Sequence, residues 1–265
     1  LVAKVTNDLK WLICSDIHIP IHSERMLSLL FDVIKWWKPD AIDIAGDQDD
    51  ACGTSRWADG SVDEVHNNVF EDSKLLKVFS GDMRQAAPKA DLHWHDGNHG
   101  WTRHDSYIKS KAKALDGLVT PDMLYDLNKN GWVWHSYQGP PVKRFGDIHV
   151  HHGKAISKHG GQSVKQDVED WNVSLIRGHS HRQASYRKSV IFSDESMTMT
   201  QDLEGYEIGH LMNVSEAKYE PTHNWQAGFA IAHIENGVKP HVQLVPIHLT
   251  DNGYTCYVDG KRFSA

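Results

Sequence analysis

The sequence predicts an α/β fold in which strands alternate with helices as far as Leu118 and give way to a mostly β second half. Three observations carry this. Short apolar runs end repeatedly at Gly or Asp. Longer segments with helical apolar spacing lie between them. Past residue 130 the runs are separated by Gly, Pro or charged turns with one helical stretch among them. Alternation of the first kind builds a sheet with helices packed on it.

The first strand is WLICS, residues 11 to 15, ending at Asp16, and a helix-periodic segment runs from Glu24 to Trp37 until Pro39 stops it. Its stripe Met26, Leu27, Leu29, Leu30, Phe31, Val33 and Ile34 is a core face. AIDIA, residues 41 to 45, repeats the strand signal and ends at Gly46 and Asp47. A polar linker then leads to a helix from about Val62 to Phe79. The unit recurs with Leu92 to His95, a turn at Gly97 and a helix around Tyr107 to Leu118. Beyond it, WVWHSY, VKRFG, DIHVHHG, VSLIRGH and SYRKSVIF read as strands, with a helix near Ser163 to Trp171. Asn236-Gly237 between alternating runs signals a hairpin, while Ser193 to Asn224 carries no clear period.

A chain of 265 residues with 40% hydrophobic and 24% charged residues is of ordinary globular composition, and one domain over residues 1–265 is the expectation. No apolar run approaches a membrane span, so no membrane partner is expected. The start LVAKVTNDLKWLICSD lacks the pattern of a secretory signal. Cys14, Cys52 and Cys256 are odd in number and widely spaced, which fits a reducing compartment; the expected location is cytoplasmic. A net charge of −7 argues against gripping long duplex DNA through many phosphates. A count of 19 histidines makes a metal site worth seeking.

Five short pieces fall at the ends of the predicted strands: SDIH (Ser15 to His18), GDQDD (Gly46 to Asp50), GNH (Gly97 to His99), HHG (His151 to Gly153) and GHSH (Gly178 to His181). Each offers oxygen or imidazole donors, and none could enclose a metal alone. Singly they also fit turn and cap chemistry, because Asp and Asn favour loops after strands. Together and in this order they are specific.

On these motifs, which cover residues 16 to 181, the chain resembles the calcineurin-like metallophosphoesterases, above all their small bacterial and phage phosphodiesterases and repair nucleases. The resemblance implies a four-layer αββα sandwich of two mixed sheets flanked by helices, with the hairpin after Trp225 completing the second sheet. It also implies one metal held by Asp16, His18, Asp47 and His181, and another by Asp47, Asn98, His152 and His179, with Asp47 bridging. His99 would be the general acid and Asp50 its orienting carboxylate. Gly100 stands where many relatives carry an acidic residue after GNH, so any support from that position is missing.

An oxygen and imidazole donor set without thiolate points to two divalent transition-metal ions, Mn²⁺ first with Fe or Zn²⁺ as alternatives. Such a pair activates a shared hydroxide for attack on phosphorus and neutralises the phosphate oxygens. The expected reaction is hydrolysis of a phosphate ester. A phosphodiester in a nucleotide or a short or single-stranded nucleic acid leads, and a phosphomonoester is the alternative. A non-catalytic, metal-stabilised binding module is the alternative of another class, disfavoured by the retention of His99 and Asp50. A zinc peptidase is a poor fit, because the chain has no HExxH pair.

Several assignments stay open. His149, His151 and His152 share one run, and His152 is favoured over His151 as the ligand because it directly precedes Gly153. His93 and His95 read as structural. Arg103, His104 and Arg182 can clamp phosphate or be solvated loop residues, and the Arg177 of RGHSH adds a cation near the site. Trp101 can stack on a base or pack beneath a loop. Lys109, Lys111 and Lys113 read as a solvated face.

Overall fold

A computed structural model describes residues 8–56, 68–193, 198–217, 223–235 and 239–265. The first half follows the predicted rhythm: β1 (Leu9–Cys14), α1 (Glu24–Trp37), β2 (Ala41–Ala45), α2 (Val69–Ala86), β3 (Asp91–His95) and α3 (Trp101–Lys111). A short α4 (Pro121–Tyr125) precedes β4 (Trp132–His135), β5 (Val142–Phe145) and β6 (Ile148–Val150). Then come α5 (Gln162–Trp171), β7 (Ser174–Arg177), β8 (Gln183–Ser193) and β9 (Thr198–Ile208). The chain closes with β10 (Gly228–Ile234), β11 (His241–Pro246), β12 (His248–Thr250), β13 (Gly253–Val258) and β14 (Lys261–Ser264).

Two mixed sheets lie face to face. One has the order β11-β10-β1-β2-β3-β4, with β1 to β4 parallel; the other has the order β5-β6-β7-β9-β8, with β6, β7 and β9 parallel. Trp11, Ile13, Ala41 and Ala45 of the first sheet pack on Ile148, Val150, Ile176 and Ile208 of the second. On the outer face of the first sheet, α1 buries Leu29, Leu30, Val33 and Ile34 in a cluster shared with α2. On the outer face of the second, α5 seats Val164 and Val168 on Leu175 and Leu203. This is the αββα sandwich of two mixed sheets that the resemblance implies. Among the described residues no helix is long and apolar enough to cross a membrane.

Local chemistry sets the element ends. Ser23 caps α1 by accepting from the Met26 N–H, and Lys38 closes it in the left-handed conformation just before Pro39. Helix α2 begins at Val69, capped by Asn68, and continues past the expected Phe79 to Ala86; residues 62–67 lie outside the described residues. Helix α3 starts six residues before the predicted Tyr107. Trp101, His104 and Ile108 recur inward at helical spacing, but the polar His104 in the middle hides the apolar period.

The C-terminal hairpin corrects the sequence reading. β10 pairs antiparallel with β1 and β11 with β10, so the hairpin completes the first sheet, not the second. β10 is buried on both faces: Ala230 and Ala232 fit the narrow layer between the sheets, while Phe229 and Ile231 fill the helix side. Its turn at Asn236-Gly237 lies outside the described residues. The unreadable stretch after Ser193 contains β9, which pairs with β8 along eleven positions. An additional sheet, β12-β13-β14, covers α1 through Cys256, Val258 and Phe263.

One polar knot crosses the layer between the sheets. Asp43 of β2 is fully buried and accepts from Trp11 Nε1 at 2.7 Å, His95 Nε2 at 2.8 Å and Arg144 Nε at 2.9 Å. Burial works against its charge, but His95 and Arg144 outweigh it and hold the carboxyl below its ordinary range. Removing the carboxylate leaves the Trp11 indole N–H and Arg144 Nε without their acceptor, while Arg144 Nη2 keeps Asp91. Asp43→Ala should therefore destabilise the fold by about 3–5 kcal/mol, read as a lowered urea midpoint at unchanged slope.

Candidate metal centre

The five motifs converge at the C-terminal ends of β1, β2, β3, β6 and β7, where the loops of an α/β sheet build sites. Backbone hydrogen bonds fasten the first two loops together. Asp16 N donates to Gly46 O at 3.0 Å, and Ile17 N and His18 N both donate to Asp47 O at 2.9 Å. Asp16, His18, Asp47, His179 and His181 all have φ between 53° and 70°, a region L-residues seldom occupy. Such conformations persist only where the surroundings over-determine them, and they gather at functional sites.

Two glycines make the approach of the loops possible. A Cβ on Gly97 would lie within the carboxylate of Asp47, and one on Gly178 would overlap Ser15 Oγ and Asp16 Oδ2. Both positions need a residue with no side chain because a carboxylate of the cluster sits against the bare Cα.

Two triads result, Asp16/His18/His181, which is buried, and Asp47/His152/His179, in which His179 is half-buried. In the first, His181 Nε2 lies 3.2 Å from Asp16 Oδ1 and 3.3 Å from His18 Nε2. In the second, His152 Nε2 lies 3.0 Å from Asp47 Oδ2 and 3.0 Å from Asn98 Oδ1. His18 Nε2 is 3.9 Å from both Asp16 and Asp47, so Asp47 stands between the triads.

Tautomers decide what these atoms offer. His18 Nδ1 donates to Asp50 Oδ1 at 2.8 Å and His152 Nδ1 donates to Ala45 O at 2.8 Å. His152 therefore turns Nε2 towards two oxygens at 3.0 Å, and His18 turns Nε2 towards His181 Nε2 at 3.3 Å with carboxylate oxygens at 3.9 Å. Acceptor facing acceptor at such distances is relieved by a cation between them, either a proton or a metal. His181 Nδ1, buried and without a hydrogen-bond partner, completes an environment short of positive charge. Donor identity and arrangement thus fit divalent ions of the borderline transition series.

The electrostatics agree. Burial opposes the ionisation of Asp16 and Asp47, yet His181 and His18 hold the first, and His152 and His99 the second, far below the usual carboxylate range. Burial likewise opposes a charge on His18, but Asp16, Asp50 and Asp47 push its pKa up to about 10. His179 falls to about 3 through burial and the neighbouring His152 and Arg177. Positive charge is thus favoured at His18, beside three carboxylates, and disfavoured at His179.

The remaining predicted residues divide. His99 is half-buried; its Nδ1 faces Asp50 Oδ1 and Asp50 O, both at 3.2 Å, and its ring is 4.7 Å from that of His18. Arg103 donates from Nη2 to His99 Nε2 at 2.8 Å and from Nη1 to Asp50 O at 2.8 Å. His151 is turned away from the triads: Nε2 donates to Tyr137 O and Nδ1 accepts from Gly153 N, which commits both nitrogens. His93 and His95 join Asp91, His135 and Asp43 on the flank of the first sheet.

Three side chains left open by the sequence find partners within the fold, and the expectation for Arg177 changes. Trp101 packs against the core cluster rather than presenting a free stacking face. His104 is buried, donating to Asp49 Oδ2 at 2.9 Å. Arg177 is fully buried and bound to Asp167 and Ala155 O, so it presents no cation to a substrate. Arg182 donates to Asn224 O and Ser157 O, tying loops together. Sequence motifs also missed Asp49, which accepts from His104, Tyr125 Oη and Ala51 N behind the site, and Trp225, 4.7 Å from His181. The doubled Asp of GDQDD was the one signal for Asp49. Trp225 had none, because it reaches the site from beyond β9.

No family model matches the chain. It is 27% identical over 256 residues to the Gene 54 protein of Mycobacterium phage L5, spanning 89% of this chain and 92% of that protein. Among solved structures, it is similar to Vps29 from Entamoeba histolytica complexed with zinc (13% identity, TM-score 0.45, 97% of this chain and 99% of that one). It is also similar to Yfce, a phosphoesterase from E. coli (12% identity, TM-score 0.41, 93% and 91%). At these values the structural likeness carries nothing about function. The clustered His/Asp site does, and it is consistent with a dinuclear-metal phosphoesterase centre.

Two outcomes follow from the geometry. Ligation must displace the proton that the carboxylates hold on His18, so metal binding should release protons and tighten roughly tenfold per pH unit for each proton displaced. Titration of metal into weakly buffered protein with a pH electrode checks this. Gly97→Ala should keep the far-ultraviolet circular dichroism but lose bound metal at Asp47, measured by elemental analysis after dialysis.

Proposed function

We propose that the protein is a metal-dependent phosphoester hydrolase acting on phosphodiesters of the nucleotide or nucleic-acid class. The observation that carries this is the pair of His/Asp triads on either side of Asp47, with His99 and Asp50 beside them. Asp16, His18 and His181 would hold one divalent ion, and Asn98, His152 and His179 the other, with Asp47 shared; Mn²⁺ is the first candidate. The chemistry two such ions supply when bound is activation of water and neutralisation of phosphate oxygens.

The chain's own residues account for the rest. Asp50 accepts a hydrogen bond from His99 Nδ1–H, which leaves Nε2 as the atom that would face the leaving oxygen. Arg103 donates to that Nε2, which therefore carries no proton in this arrangement. When an entering phosphate accepts from the guanidinium instead, Nε2 is free to take up a proton from solvent, and the imidazolium then gives that proton to the leaving oxygen. Asp50 also holds His18, so a single carboxylate fixes the ring of a ligand and the ring of the acid.

The test is hydrolysis of bis(p-nitrophenyl) phosphate beside p-nitrophenyl phosphate by metal-stripped protein reloaded with Mn²⁺. The diester should be cut faster, only with metal. His99→Ala should retain both metals and slow esters with poor leaving groups by roughly 10²-fold or more. Protein that carries two metals and cuts neither ester would overturn the reading, and cleavage of the monoester alone would move the substrate class to phosphomonoesters.

A further inference from the structure

β3 and β4 bring three imidazoles together away from the paired triads. Side chains alternate along a strand, so Asp91, His93 and His95 share one face of β3 while Leu92 and Trp94 enter the core from the other. His135 stands directly across from His95 in the parallel register, and β4 is the last strand of its sheet. One nitrogen from each of the three rings lies within 4.8 Å of those of the other two. His93 and His95 are buried and His135 is half-buried.

Carboxylates set the tautomers. His95 Nε2 donates to Asp43 Oδ1 at 2.8 Å, and His93 Nε2 lies 3.2 Å from Asp91 Oδ2. A neutral imidazole that donates its Nε2–H to a carboxylate keeps a lone pair at Nδ1. His93 Nδ1 meets His135 Nε2 at 2.7 Å, so a single proton joins these two nitrogens. A metal can take the place of such a proton, and histidines that ligate metals characteristically hold a carboxylate on their other nitrogen. Arg144 also reaches both carboxylates, and two carboxylates against one guanidinium leave a net negative charge behind the rings. Burial and the neighbouring imidazoles bring His135 down to about 3, and burial lowers His93 as well, so these rings stand in the neutral form that ligates.

Packing gives a poorer account of the trio. Neighbouring positions on the same face of the sheet hold Ala41 and Ala45, and aliphatic side chains would fill this one without burying imidazole nitrogens. The rings lie 19–29° apart in plane, so ligation asks one of them to turn until its lone pair points where the others do. His135 is the least enclosed of the three.

We propose that His93, His95 and His135 form a further metal site that binds one Zn²⁺, with water in the remaining positions. Three imidazoles without thiolate suit that ion, with Asp91 and Asp43 orienting two of them. The ion would tie the edge strand β4 to β3 just before the GNH loop, where Asp96 N already donates to His135 O at 2.8 Å. The site does not depend on what the paired triads catalyse.

The test is calorimetric titration of Zn²⁺ into the metal-stripped Asp16→Ala/Asp47→Ala chain, whose paired triads have lost their carboxylates, with circular dichroism as the check on folding. One equivalent should bind. Adding His135→Ala should weaken that binding roughly 100-fold or more, and adding Asp91→Asn, which keeps every ligand, about 10- to 100-fold. In the otherwise wild-type chain, His135→Ala should retain one equivalent of zinc fewer after dialysis and still cut bis(p-nitrophenyl) phosphate. Should the double variant fail to fold, that difference of one equivalent decides the question. Zinc binding unchanged by His135→Ala in either background would overturn the site. Failure of the wild type to cut the ester would sink the reading of the paired triads and leave the zinc count as the measure of this site.

Discussion

The rest of the site depends on one electrostatic fact: Asp16 and Asp47 are both buried, among the described residues no lysine or arginine pairs with either, and what faces them is imidazoles and the backbone N–H groups of His179 and His99. Two carboxylates in so little water repel each other strongly unless positive charge lies between them. The left-handed backbone at five of the donor residues, and the bare Cα positions of Gly97 and Gly178, are what the chain gives up to bring them that close. A site so arranged is costly without a cation and well formed with one.

Around that centre the fold separates apolar support from polar wiring. Facing strands pack aliphatic side chains beneath the loops, so the C-terminal ends of β1, β2, β3, β6 and β7 form a firm platform. Asp43, Arg144 and His95 cross the same layer as a closed network. Asp49 plays the corresponding part behind the motif loops, collecting donors from Tyr125, His104 and Ala51. Neither carboxylate faces the triads, and both hold strands or loops that carry residues which do.

Much of the first half could be read from the chain because its signals are local. Capping by Ser23, the stop at Pro39 and the strand AIDIA act within a few residues of themselves, and α1 and β2 appear with the expected bounds. Helix α3 was placed late because a buried histidine interrupted its apolar stripe. β9 was missed because polar residues alternate along it, and the hairpin after Trp225 was assigned to the wrong sheet because pairing partners are chosen across the whole chain. The motif residues came together for a related reason: each sits at a strand end, and parallel strands bring those ends to one edge.

By itself the sequence determined the α/β class and the oxygen and imidazole character of the motif residues, since these depend on residue type and local spacing. Only the tertiary structure separated His151 from His152, by committing both nitrogens of His151 to the backbone while His152 joins Asp47 and His179. It also buried Arg177 and His104, turned Arg103 onto His99, and brought Trp225 against His181. A side chain's free valences and its exposure are set by what folds against it, and those neighbours lie scores of residues away in the chain.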